Sequence, residues 1–214
     1  MSGHAPGRFI TLEGGEGAGK STQARRLAAH LSGLGVPVLL TREPGGSAGA
    51  EAIRAVLLNG QGFDPVAEAM LMFAARREHV VATIRPALAA GLWVISDRFA
   101  DSTRAYQCHG QGVPGEVYRR LAELALEGLS PDLTLILDVP PDAGMARAAA
   151  RGAAADRYER LDTGFHARVR AGFLAIAAAE PERCQVIDAG QAQEHVFAAM
   201  ANAISQKFAL DAYK

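Results

Sequence analysis

Gly14-Gly15-Glu16-Gly17-Ala18-Gly19-Lys20-Ser21 (GGEGAGKS) follows a short β-branched run at residues 8–13 (RFITLE). It opens a stretch, residues 20–34, in which Ala24, Leu27, Ala28, Leu31 and Leu34 recur at helical spacing. The octet fits G-x-x-x-x-G-K-[ST], and it stands where a phosphate-binding loop must, between a strand and a helix. Its glycines allow the tight turn that points successive backbone N–H groups at phosphate oxygens, and the helix adds its positive end. Lys20 is expected to reach the β- and γ-phosphates of a nucleotide, and the Ser21 hydroxyl to ligate Mg²⁺.

Outward from the loop, apolar runs at residues 36–40, 92–96 (LWVIS), 133–139 (LTLILDV) and 185–187 read as further strands. Helical patterns lie between them, at residues 50–58 and 65–90 among others, while residues 41–49 (TREPGGSAG) carry turn chemistry. Strands alternating with helices predict an α/β fold, a three-layer α/β/α arrangement around a five-stranded parallel sheet. Residues 1–214 read as one P-loop domain. Residues 147–160 (RAAARGAAADRYER) break the pattern, being rich in Ala and Arg with little to bury. They read either as a solvated helix surface or as an arginine-bearing lid.

Lys and Arg (22) nearly balance Asp and Glu (23), which argues against a nucleic-acid polymer as partner, since a basic face is its usual footprint. Cys108 and Cys184 have no metal-ligand spacing and read as free thiols. Residues 1–7 carry no apolar core of a signal segment, and no run of eighteen apolar residues occurs. The expectation is a soluble cytoplasmic protein with no membrane partner.

A P-loop alone does not name a reaction. The guanine-reading Asn-Lys-x-Asp of switch GTPases is missing. Where an ATP-driven machine usually has Asp-Glu after a hydrophobic strand, this chain has Asp97-Arg98. Asp97 suits a hydrated Mg²⁺, and the adjacent cation suits a second anion, so the residues favour transfer of the ATP γ-phosphoryl group to a small phosphorylated acceptor. A nucleotide or nucleoside kinase with any of several acceptors, or a P-loop ATPase or regulatory module, remains open on these residues alone.

Four segments together resemble bacterial thymidylate kinase, a P-loop nucleoside monophosphate kinase family. They are the P-loop, Thr41-Arg42-Glu43-Pro44-Gly45-Gly46, Asp97-Arg98 with Ser102-Thr103 and Ala105-Tyr106-Gln107, and the run at 131–138 (PDLTLILD). The resemblance spans about residues 9–204 and implies phosphorylation of dTMP to dTDP with Mg-ATP, for dTTP synthesis, by a homodimer. It further implies that Arg98 clamps the dTMP 5′-phosphate, a bidentate task suited to a guanidinium. Arg42 and Glu43 would line the acceptor pocket, with Ser102 and Thr103 on the same side, and Glu13 would sit near the deoxyribose and the transferring group. Phe73 would stack on thymine beside Met72, with Arg76 one turn on, and Tyr106 would pack on the sugar. Gln107, having both a carbonyl and an amide, could pair with the N3 edge, and Arg76, which only donates, with O4. This P-loop lacks an arginine, so the likeness is to the branch whose catalytic arginine lies in the lid. Arg151 is then the first candidate and Arg147 the second, with Asp156 and Arg157 anchoring the closed lid; the middle position of the Arg-x-Arg-x-Arg seen in some relatives is Ala149. Gln191, in Asp188-Ala189-Gly190-Gln191, falls in the adenine-side loop.

Overall fold

The computed structural model of this chain describes residues 7–59, 62–150 and 157–210. In chain order the elements are β1 (Phe9–Glu13), α1 (Lys20–Gly33), β2 (Val38–Arg42), α2 (Ala48–Asn59), α3 (Pro65–His79), α4 (Arg85–Ala89), β3 (Trp93–Asp97), α5 (Ala100–Thr103), α6 (Gly115–Leu126), β4 (Leu133–Asp138), α7 (Pro141–Ala149), α8 (Thr163–Ala179), β5 (Cys184–Asp188) and α9 (Gln193–Phe208). The five strands form a wholly parallel sheet in the order β2-β3-β1-β4-β5. β1 is central, with Leu12 opposite Asp97 on one side and Leu135 on the other.

The strands are apolar rather than alternating because both faces of the sheet are covered. Ile10 and Leu12 pack with Leu27 and Leu31 of α1 and with Met200 and Ile204 of α9. Phe9, from the opposite face of the same strand, packs with Val80, Ile84, Val94 and Phe99. Ile136 of β4 joins Tyr106, Phe165 and Phe173 in a third cluster. Reversal of strand order about β1 leaves a crevice at the carboxyl ends of β1 and its neighbours, the usual ligand site of such sheets.

Two helical stretches differ from the sequence expectation. The single helix expected over residues 65–90 is α3, then a π-helical turn at Val80–Ile84, then α4. Pro86 has no N–H to donate back into the preceding turn, so the ladder widens there. A second π-helical segment, Arg104–Gly110, continues α5 and carries Tyr106 and Gln107. β2 also begins two residues later than read and runs on through Thr41 and Arg42, which brings Arg42 to the carboxyl edge.

α7 lies directly against the P-loop. A Cβ on Gly17 would sit 1.8 Å from the Gly144 carbonyl oxygen, and one on Gly144 would sit 2.3 Å from the Glu16 carbonyl oxygen. Backbone touches backbone here, and neither side can yield by rotating a side chain. Gly144→Ala should therefore destabilise the protein by about 1–3 kcal/mol through overpacking, although Ala is the better helix former by about 1 kcal/mol. Urea unfolding tests this against Gly115→Ala, where an added Cβ meets nothing within 4 Å and little change is expected.

Candidate active site

At the carboxyl edge every strand ends in a charged residue: Glu13, Arg42, Asp97, Asp138 and Asp188. A cleft of about 740 Å³ opens over this edge, lined by P-loop residues from Glu16 to Ser21 and by side chains from α2, α3, β3 and the segment around Tyr106.

The loop takes its shape from Gly14, Gly17 and Gly19, whose φ values of 137°, 66° and 89° are open chiefly to glycine. Lys20 is buried and donates to the carbonyls of Gly14 (3.0 Å) and Gly15 (2.7 Å), folding its ammonium into the cradle. Burial, reinforced by the Arg98 charge, brings the Lys20 pKa down to about 8. The Ser21 hydroxyl donates to the Asp97 carboxylate, so two hard oxygen donors meet at the start of α1. Among the described residues no group of three or more His, Cys, Asp or Glu could hold a metal ion.

Arg98 stands between the P-loop and the acceptor half. Its backbone is left-handed, φ 76°, an unusual conformation for a side chain of this size. It is held there by N–H donation to the Leu12 carbonyl (3.0 Å) and by the Ser96 hydroxyl on its own carbonyl (2.7 Å). The guanidinium donates to Gly14 O and Ser102 Oγ (both 3.1 Å), to Glu16 Oε1 (2.8 Å) and to Tyr106 Oη (3.0 Å). Tyr106 in turn donates to Glu16 Oε1 (2.6 Å). Burial raises the Glu16 carboxyl, yet Arg98 and Lys20 outweigh it and bring the pKa down to about 2. Glu16 was expected only as a member of the phosphate loop; its side chain belongs to the acceptor half.

On α3, Glu68, Met72 and Arg76 recur every four residues and share one face. Arg76 donates to Glu43 Oε2 (2.7 Å), Thr103 Oγ1 (3.1 Å) and the Phe99 carbonyl (3.0 Å), while lining the cleft with Glu43, Met72, Thr103 and Gln107. His79 Nδ1 bonds Glu43 Oε1 (2.9 Å), fixing that carboxylate from behind. Arg42 lines the cleft and pairs with Glu51 at 3.1 Å.

Two of the expected acceptor-side residues lie outside the cleft lining. Phe73 does not line the cleft: it is 2% exposed, edge-on to Tyr118 at 5.5 Å and beneath the Arg76 guanidinium at 4.7 Å. One residue is about 100° of helix, so Met72 faces the cavity and Phe73 the packing against α6. Glu13 does not reach the cleft either. Wholly buried, it accepts from the Phe99 N–H (2.7 Å), the Ser102 N–H (3.3 Å) and the Ser102 hydroxyl (2.6 Å), and so anchors the start of α5 under Arg98.

Arg147 lines the cleft and donates to the Ala189 (2.7 Å) and Gly190 (3.1 Å) carbonyls, bracing the loop that bears Gln191, itself a lining residue. Arg151 and Asp156 lie outside the described residues, whereas Arg157 pairs with the buried Glu68. Sequence reading overlooked Gln23, Arg54 and Glu159 in the cleft wall, and His79 and Glu68 behind it. Helical phase relative to Met72 and Arg76 points to Glu68; nothing local points to Arg54 or Glu159.

A family model described as thymidylate kinase matches residues 12–200. The chain is 54% identical to the thymidylate kinase of Caulobacter vibrioides, over 95% of this chain and 99% of that one. It is 51% identical to that of Rhizorhabdus wittichii, over 94% and 98%. A crystal structure of thymidylate kinase from Ehrlichia chaffeensis superposes with a TM-score of 0.76 at 39% identity, over 93% of this chain and 99% of that one.

Glu13 gives this site a pH signature. Burial first, then the charge of Asp101, lifts its pKa from 4.5 to about 8. An acid whose folded pKa is raised stabilises the fold fully below its unfolded value and loses that contribution as pH rises to the folded value. Wild-type stability should thus carry a component that falls between about pH 4.5 and 8. Glu13→Gln should lack it, so that thermal melts show a gap in favour of the variant that widens across this window and is flat above it.

Proposed function

As the chain belongs to the thymidylate kinase family, we propose that its cleft seats ATP along the P-loop and dTMP between Arg98 and Arg76. The protein phosphorylates dTMP to dTDP with ATP as the donor. The observation that carries the proposed site is the contact of Arg98 with both Gly14 and Glu16 of the P-loop, which joins a clamp for a second phosphate to the cradle for the first.

Lys20, folded onto loop carbonyls in the protein alone, extends to the β- and γ-phosphates when they displace it. Arg98 turns the donors now given to Gly14 and Ser102 toward the dTMP phosphate, while Glu16 and Tyr106 keep its plane fixed. The hard-oxygen pair Ser21 and Asp97 fits Mg²⁺, which needs few protein ligands because it keeps several waters. Bound there, Mg²⁺ would offset the negative charge of the phosphates. Arg76, held by Glu43, donates to thymine O4, Met72 covers the base face, and Tyr106 lies against the sugar. The arginine absent from the P-loop comes from residues 147–160, with Arg151 first and Arg147 second; using Arg147 this way requires its release from Ala189 and Gly190. A homodimer joined through α3 and its neighbours is supported by the exposed apolar Val56, Met70 and Val81. Light scattering should give twice the chain mass, and a monomer would refute it.

The deciding assay is steady-state transfer to dTMP, dUMP, dCMP and AMP, in which dTMP should be the best acceptor. Within it, Arg98→Ala should raise the KM for dTMP by about tenfold or more, reflecting a lost charge-assisted pair. Arg151→Ala should instead lower kcat more than KM. Unchanged acceptor kinetics for the first, or a normal kcat for the second, would remove that residue from its role.

A further inference from the structure

We propose that Glu68 sets the pyrimidine preference of the acceptor pocket by dictating which polar atom Gln107 shows to the base. The inference rests on the proposed dTMP pocket and adds to it a residue behind the cleft wall.

Glu68 lies in the first turn of α3, one and two turns before Met72 and Arg76, with no exposed surface. Its Oε1 accepts from Gln107 Nε2 (2.7 Å), from the Tyr158 hydroxyl (2.7 Å) and from Gln111 Nε2 (3.1 Å). Its other oxygen faces the Arg157 guanidinium. Paired with that cation, the carboxylate is an acceptor only. Gln107 must therefore turn its amide group toward Glu68, and the Tyr158 oxygen lies beside the same nitrogen (3.2 Å). With its amide nitrogen held behind the wall by Glu68 and Tyr158, Gln107 leaves its carbonyl oxygen as the group it offers the cleft.

This removes the ambiguity of a free glutamine, which could pair with either kind of N3 edge. A lone carbonyl accepts from the N3–H of thymine or uracil. Opposite cytosine, whose N3 carries a lone pair, it faces another acceptor. Arg76 acts in the same sense at position 4, where its donors match O4 and oppose an amino group. Glu68 touches no substrate; it is a positioning residue for Gln107. A glutamine at position 68 would offer both a donor and an acceptor, allowing the Gln107 amide to turn over.

The test is kcat/KM for dTMP, dUMP and dCMP with saturating Mg-ATP, for wild type, Glu68→Gln, Gln107→Leu, the double variant and Tyr158→Phe. Wild type should favour dTMP over dCMP; if it does not, the acceptor assignment itself fails. Glu68→Gln should shrink the dTMP-to-dCMP ratio by about tenfold or more, as expected when a buried edge loses its matched partner. The dTMP-to-dUMP ratio should stay fixed, because those bases share N3–H and O4; a general loosening of the fold would not spare it selectively. Gln107→Leu should lower the dTMP-to-dCMP ratio similarly, and the double variant should lower it no further than either single change. Should Glu68→Gln fail to fold, Tyr158→Phe, which removes the oxygen beside the Gln107 amide nitrogen, carries the test with a smaller loss of the same ratio. The proposal is overturned if wild type prefers dTMP and the folded variants keep its dTMP-to-dCMP ratio, or if the two losses multiply in the double variant.

Discussion

One partly buried guanidinium organises this site. Arg98 sits where the sheet's carboxyl edge meets the P-loop, and its left-handed backbone is tolerated because β1 and Ser96 bind it from both ends. A non-glycine residue at such an angle costs on the order of 1–3 kcal/mol and persists only when its surroundings overdetermine it. Here the surroundings are the central strand, the loop after it and α5, so the strained angle aims the side chain at the phosphate cradle rather than along the sheet.

The charges around it are arranged for anions to arrive. Lys20 is buried, and the partly buried Arg98 repels it, which helps bring Lys20 down to about 8. Glu16 and Asp97 offset that repulsion, each acting to raise the Lys20 pKa. Incoming phosphates would meet cations already stripped of water, where electrostatic attraction is stronger than at a surface. Because the cradle glycines and Gly144 of α7 meet backbone to backbone, the loop has little room to drift as its charges change.

Much of this was legible in the chain because each motif states its own mechanism. The order strand, glycine-rich octet, helix located the P-loop, and Asp97-Arg98 after an apolar strand pointed to two residues that line the cleft. What was not legible depends on angles. Met72 and Phe73 differ by one position, and only the packing of α6 against α3 shows which ring or thioether faces the cleft. Glu13 ends its strand like the other edge residues, but Phe99 and Ser102 fold over it and take it out of reach. Glu68 shares a helical face with Met72 and Arg76, but its partners come from 39 and 90 residues further along, which no local pattern shows.

The π-helical segment Arg104–Gly110 has a consequence for how this chain can evolve. A π turn accommodates roughly one residue more than an α turn. Losing one residue there would return the turn to α geometry with what lies beyond it still in phase, whereas the same loss from a regular α-helix would swing everything beyond it by about 100°. The stretch Arg104–Gly110 is thus where this helix can shorten by one residue without moving its far end, and the change would fall on the side chains within it, Tyr106 and Gln107 among them.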